Sequence, residues 1–206
     1  MVKLPLPPAP DALTWEEGDT SAVAAHTVLW RLHRCAGENV VPWNELRFWG
    51  PSHARFDPQE LPPGPSDRGV SYAALDVATC LAEVFQDRRV VDTSRGSPYL
   101  TAWRPTRTLH LLDLTGTWPI RNSASHLLNT GPHDLCRSWA RAIYARWPDL
   151  DGLWHISAMT GQPEVTMFTA AGDTFPPRPL FSRPLADPGT RGWIAAAAAQ
   201  IAYDVI

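Results

Sequence analysis

Cysteine is scarce in this chain. Three occur in 206 residues (Cys35, Cys80 and Cys136), far apart and with no C-x-x-C pair. A zinc site built on cysteines is therefore not expected, and the odd, low count fits a reducing compartment better than a stapled secreted domain. HExxH spacing is also missing, so no metal is assigned. Neither GxGxxG nor GxxxxGK[ST] occurs, so a nucleotide bound here would not use a Rossmann or P-loop cradle. No GxSxG elbow and no Ser–His–Asp order is present. Positive charge is not in excess. Lys and Arg total 18 against 21 Asp and Glu, a net charge of −3. With no basic stripe, direct nucleic-acid binding is not expected. No stretch approaches the roughly 20 apolar residues of a membrane span. Prolines break the opening MVKLPLPPAP, so no leader is read there. The expectation is a soluble, cytoplasmic protein.

Proline and tryptophan are abundant, with 21 and 10 copies. Proline fixes φ and removes a donor, so short elements ended by proline are expected. The length suits one domain spanning 1–206. Residues 1–11 read as a loose lead-in, the core as about 26–170, and 175–206 as a proline-rich segment followed by a C-terminal helix. Trp15 to Ala25 reads as a helical turn or short helix. HTVLWRLHR (26–34) alternates as a strand, with Trp30 and Leu32 on one side and Arg31 and His33 on the other. Residues 35–69 read as a long irregular connection with extended pieces at LRFWG and HARF. GVSYAA (69–74) is a short strand. A helix follows, with Asp76 as its cap and Val77, Leu81, Val84 and Phe85 as its buried stripe. Asp76, Thr79 and Glu83 fall on another side, which the helical wheel alone assigns to solvent. Residues 99–105, 107–114, 151–157, 164–170 and 178–186 read as strands, the last interrupted at Pro184. A helix opening at Asp134 turns Leu135, Trp139, Ile143 and Trp147 inward. Strands and helices mix without βαβ alternation, so the fold class is α+β with mostly antiparallel strands.

Several residues carry chemistry, each with a plain structural reading beside it. Arg31 stands mid-strand between two apolar residues and needs an anion or an exit to water. Guanidinium grips phosphate or carboxylate bidentately. His33 shares its strand face. Arg55 lies in a loop, where solvation is the ordinary reading. Tyr72 reads as core with its hydroxyl tied off, Glu83 as helix surface and Ser157 as turn chemistry.

Taken in order, WRLHR with Arg31, ARF with Arg55 and Phe56, SYAALDVATCLAEVF with Tyr72 and Glu83, LDL (112–114), DGLWHIS with Ser157, and EVTMF resemble the RES domain family. The resemblance runs from about Val28 to about Phe168. The lead-in to Arg34 and residues 36–52 are longer than a minimal member needs, the proline-rich tail beyond about 175 matches little, and Asp57 stands where an amide or small residue is expected. The resemblance implies a split, mostly antiparallel sheet with flanking helices, similar to the ADP-ribosyltransferase catalytic core. It implies a bacterial toxin that degrades NAD at the nicotinamide–ribose bond, by hydrolysis or phosphorolysis. NAD would be the substrate, inorganic phosphate a co-substrate in the second case, and no prosthetic group is implied. Arg31, Tyr72, Glu83 and Ser157 would be the catalytic set, with Arg55 and His33 binding substrate. The implied partner is a helix-turn-helix antitoxin of the Xre type, and a homodimer stays open. Two alternatives remain at this point: transfer of ADP-ribose to a protein, and a module that binds nucleotide or partner without turnover.

Overall fold

Short alternating segments, each closed by proline, glycine or a turn, assemble into one large sheet. The computed structural model describes residues 4–206, so the first three residues of the expected lead-in lie outside the described residues. In chain order the elements are β1 (Thr20–Val23), β2 (Leu29–Arg34), β3 (Arg47–Gly50), β4 (Gly64–Ala74), α1 (Val77–Val84), β5 (Val90–Val91), β6 (Pro98–Trp103), β7 (Leu109–Asp113), α2 (Trp118–Arg121), α3 (His133–Arg146), β8 (Gly152–Ile156), β9 (Pro163–Phe168), β10 (Phe181–Pro184), α4 (Arg191–Gln200) and β11 (Asp204–Val205). Among the described residues, nine strands form a sheet ordered β1-β7-β8-β9-β4-β2-β6-β10, with β3 on the outer stretch of β4. Only β7 and β8 run parallel in it, and α3 makes the crossover between them. The fold is α+β with a mostly antiparallel sheet flanked by helices.

The sheet splits at its centre. β2 and β4 share a single registered pair, Trp30 opposite Ala74. An antiparallel ladder continued from there would set Arg31 against Ala73 and Leu32 against Tyr72, but the strands diverge instead. α1 leaves β4 at this point. Asp76 caps it, accepting from the Thr79 N–H at 2.8 Å, as expected of an aspartate just before an apolar helix. The buried run is Ala78 to Ala82. Val84, expected in the buried stripe, is exposed instead. Val77 and Phe85 keep the expected side, packed at the margin of the core.

Two apolar layers lie side by side under one face of the sheet. One packs Trp118, Trp139, Ile143, Leu153 and Phe168 around α3, with Leu135 and Trp147 at its margin. The other packs Leu81, Leu100, Ile194 and Ala198 between α1, α4 and the sheet. A third cluster, with Leu29, Trp103, Leu109, Val165 and Met167, covers the opposite face.

Four further expectations differ from the structure. Residues 20–23 form a strand, because Thr20–Val23 pair with Leu109–Leu112 at the sheet edge, and that pairing overrides any helical tendency. HARF makes turns rather than an extended piece. β4 starts at Gly64, because its first half is zipped to β3. Residues 4–13 are not loose. Leu4 and Leu13 are buried, and the Trp139 indole N–H donates to the Pro5 carbonyl at 2.8 Å.

Candidate active site

Where the sheet splits, a hollow of about 710 Å³ opens, within the size range of ligand sites. β2 contributes Arg31 and Leu32 to its lining, β4 Ser71 and Tyr72, α1 Glu83, β8 His155 and β9 Glu164. Arg47 enters from β3, and Arg55 and Phe56 from the turns between β3 and β4. Because neighbouring residues of one strand face opposite ways, the walls come from both sides of the sheet.

Glu83 lies on the last turn of α1, on the side of the capped Asp76–Thr79 edge. It accepts the Ser157 hydroxyl at 2.5 Å. The serine oxygen in turn accepts N–H groups of Met159 and Thr160, both at 3.1 Å. With its lone pairs so engaged, the Ser157 proton is directed at the carboxylate. Thr79 ties the same edge to the turn after β8 through Thr160 Oγ1 at 2.9 Å. The edge that the wheel assigns to solvent is therefore a polar seam between α1 and that turn.

Arg31 is held at one nitrogen. Its Nη1 donates to the carbonyls of Trp43 at 2.9 Å and Glu45 at 3.0 Å. Burial, and secondly the nearby charge of Arg47, pushes its pKa down to about 10. A guanidinium destabilised in that way gains from any anion entering the hollow. Arg47 is paired with Asp57 at 2.6 Å. Fully buried Asp57 also accepts the Tyr72 hydroxyl at 2.7 Å and the Ser52 N–H at 2.5 Å. Burial first and Asp57 second raise the Tyr72 pKa well above its usual value, so the phenol stays protonated. Arg55 donates to the Gly131 carbonyl and reaches the hollow beside Phe56.

Five of the six candidates thus converge. Arg31, Arg55, Tyr72 and Glu83 line the hollow, and Ser157 grips Glu83 from behind. His33 does not line it. Its Nε2 bonds Thr101 Oγ1 at 3.0 Å, and burial, then Arg31, lowers its pKa to about 4.

Arg47, Asp57, His155 and Glu164 are among the lining or supporting residues that escape sequence reasoning. Asp57 alone carried a signal, as a carboxylate where an amide or small residue is expected. Its partner Arg47 is brought up by the β3–β4 pairing, which no local pattern reveals. His155 and Glu164 are cross-strand partners of β8 and β9, visible only once register is known. Burial, and secondly Glu83, pushes the Glu164 carboxyl up to about 9. Burial holds the His155 imidazole at about 3, so it is neutral.

A sequence model described as "RES domain" matches residues 28–186. The chain belongs to the RES domain family. The match extends beyond the expected end near Phe168 and takes in β10. No curated protein matches this RES domain in sequence. In structure it is similar to a chain of the M. tuberculosis MbcT–MbcA toxin–antitoxin complex. The TM-score is 0.54 at 15% identity, covering 79% of this chain and 85% of that one. At that identity the likeness concerns the fold. Among the described residues of this RES domain, no helix is long and apolar enough to cross a membrane.

Proposed function

We propose that this RES domain cleaves the N-glycosidic bond between nicotinamide and ribose in NAD, and serves as the toxin of a toxin–antitoxin pair. One observation carries the enzymatic reading: a serine-fixed carboxylate, Glu83, shares a single hollow with Arg31, Arg47 and Arg55. Nicotinamide in NAD carries positive charge. When the bond from the ribose carbon to its nitrogen breaks, the electron pair goes to nicotinamide, which leaves neutral and needs no proton. Positive charge moves onto the ribose ring, as in glycoside hydrolysis. Glu83 beside that ring stabilises the charge. The arginines hold the pyrophosphate, or an attacking phosphate, and place it. Tyr72, fixed by Asp57, orients the ribose or the pyridine ring. Water attacking the ribose carbon yields ADP-ribose and releases a proton, and phosphate attacking it yields the phosphorylated sugar.

The toxin reading draws on the family and on the similar fold, whose chain was solved in a toxin–antitoxin complex. A helix-turn-helix antitoxin is the partner proposed, and the cytoplasm the compartment.

Purified protein incubated with NAD should release nicotinamide, and runs with and without phosphate separate phosphorolysis from hydrolysis. Glu83→Gln keeps the volume and removes the charge. It should lower release by about 10²- to 10³-fold, the scale of losing one electrostatic stabiliser. Undiminished release from that variant would overturn the assignment.

A further inference from the structure

The wall beside Glu83 holds two polar groups that the cleavage chemistry does not use. His155 is 4% exposed. Its Nε2 bonds Thr166 Oγ1 at 2.8 Å, while its Nδ1 is buried without a hydrogen-bond partner. Glu164 is the cross-strand neighbour, with Oε2 at 3.8 Å from that Nδ1. This is too long for a good hydrogen bond between them. Both side chains line the hollow. A buried nitrogen without a partner is costly unless something fills the role.

We propose that Glu164 and His155 form a carboxamide-reading subsite: Glu164 donates an O–H to the amide carbonyl oxygen, and His155 Nδ1, which lies just beneath the surface of the hollow, is uncovered as the ligand seats and accepts from the amide nitrogen. The inference rests on the NAD reading and names the part of the dinucleotide that selects it. In the tautomer that gives Nε2–H to Thr166 Oγ1, the one the subsite requires, Nδ1 presents a lone pair. A carboxamide offers one acceptor and one donor and satisfies both groups. A carboxylate offers only acceptors: it would set a lone pair against Nδ1 and place its charge near Glu83. The Glu164 proton is held by burial and by the charge of Glu83 on α1. Asp76 at the helix cap adds to the effect and Arg55 opposes it. Neutral His155 completes the surroundings.

The test is binding to the Glu83→Gln protein, read before its slowed turnover consumes the ligand, of NAD and of its analogue with a 3-carboxylate in place of the carboxamide. Sites built to hydrogen-bond a substrate group reject analogues lacking it strongly, so NAD should bind about 100-fold tighter. Adding Glu164→Gln, whose amide N–H replaces the acid O–H, should keep the preference within about threefold. Adding Glu164→Leu should reduce it below about tenfold. In Glu83→Gln alone the electrostatic support for the Glu164 proton is weaker. The pH arm therefore uses wild-type protein and initial rates. There the preference for NAD should fall as pH rises past about 9, where Glu164 loses its proton, and should not fall in Glu164→Gln. Equal binding of the two dinucleotides overturns the subsite and leaves the cleavage reading standing. Binding of neither overturns the NAD reading and the subsite with it. If Glu164→Leu fails to fold, a flat wild-type pH profile still overturns the proposal.

Discussion

A serine hydroxyl has one proton to give, and Ser157 gives it to Glu83 while two backbone N–H groups occupy its oxygen. The carboxylate is thereby fixed toward the hollow at little entropic cost on substrate binding, because the turn and not the substrate orders it. Ser157→Ala should lower nicotinamide release by roughly 10- to 100-fold with KM changed less than about threefold. The loss would lie in a carboxylate free to turn away from the ring. Steady-state kinetics against NAD check this, and a rise in KM at constant kcat would refute it. The pair also marks the limit of local reading. Helical periodicity assigns Glu83 to solvent, and turn propensity gives Ser157 a turn. Only the ordered succession of motifs joined residues 74 positions apart.

Elements with local causes are legible in the sequence. Asp76 caps α1, the inner side of α3 is the one its periodicity gives, and Trp30 and Leu32 of β2 pack on one core cluster with Leu29 on the opposite one. The segment between β2 and β4 is not, because its order comes from one buried carboxylate and not from a repeat. Asp57 ties Arg47 of β3, Ser52 of the turn and Tyr72 of β4 at one point. Burying a charge in this way is stable only while the pair is complete. Asp57→Asn keeps the shape, strips the anion and leaves Arg47 unmatched in a largely buried site. It should cost about 3 kcal/mol. Arg47→Gln on that background should recover a substantial part of the loss, which a double-mutant cycle in denaturant would read as coupling. Strict additivity of the two substitutions would show that the strap is not one unit. Because Tyr72 hangs on the same carboxylate, KM for NAD should rise in Asp57→Asn even at temperatures where the protein is folded.

At the scale of the molecule, short proline-ended strands without βαβ alternation made an antiparallel α+β fold readable. Strand order was not readable, and residue burial follows from order. Burial then sets how the whole protein responds to pH. His33 and His155 have folded pKa values near 4 and 3 against an ordinary 6.5. In the window between, the unfolded chain binds more protons, so each adds stability as pH rises to about 6.5. Glu164 goes the other way. Its pKa rises from 4.5 to about 9 on folding. The native state then holds the extra proton, and stability falls as pH climbs through that range. From about 4.5 to 6.5 two groups oppose one, and the net slope is positive by about one proton, or roughly 1.4 kcal/mol per pH unit at most. Above 6.5 the histidines are spent and the carboxyl alone remains, so the slope turns negative by a similar amount. Stability should therefore peak near pH 6.5. Denaturant melts across pH 5 to 8.5 would show the peak, and Glu164→Gln should flatten its upper limb while leaving the lower one rising. A wild-type profile level from 6.5 to 8.5 would mean that the Glu164 carboxyl is ionised in the folded protein, and the hollow would then carry two charged glutamates side by side.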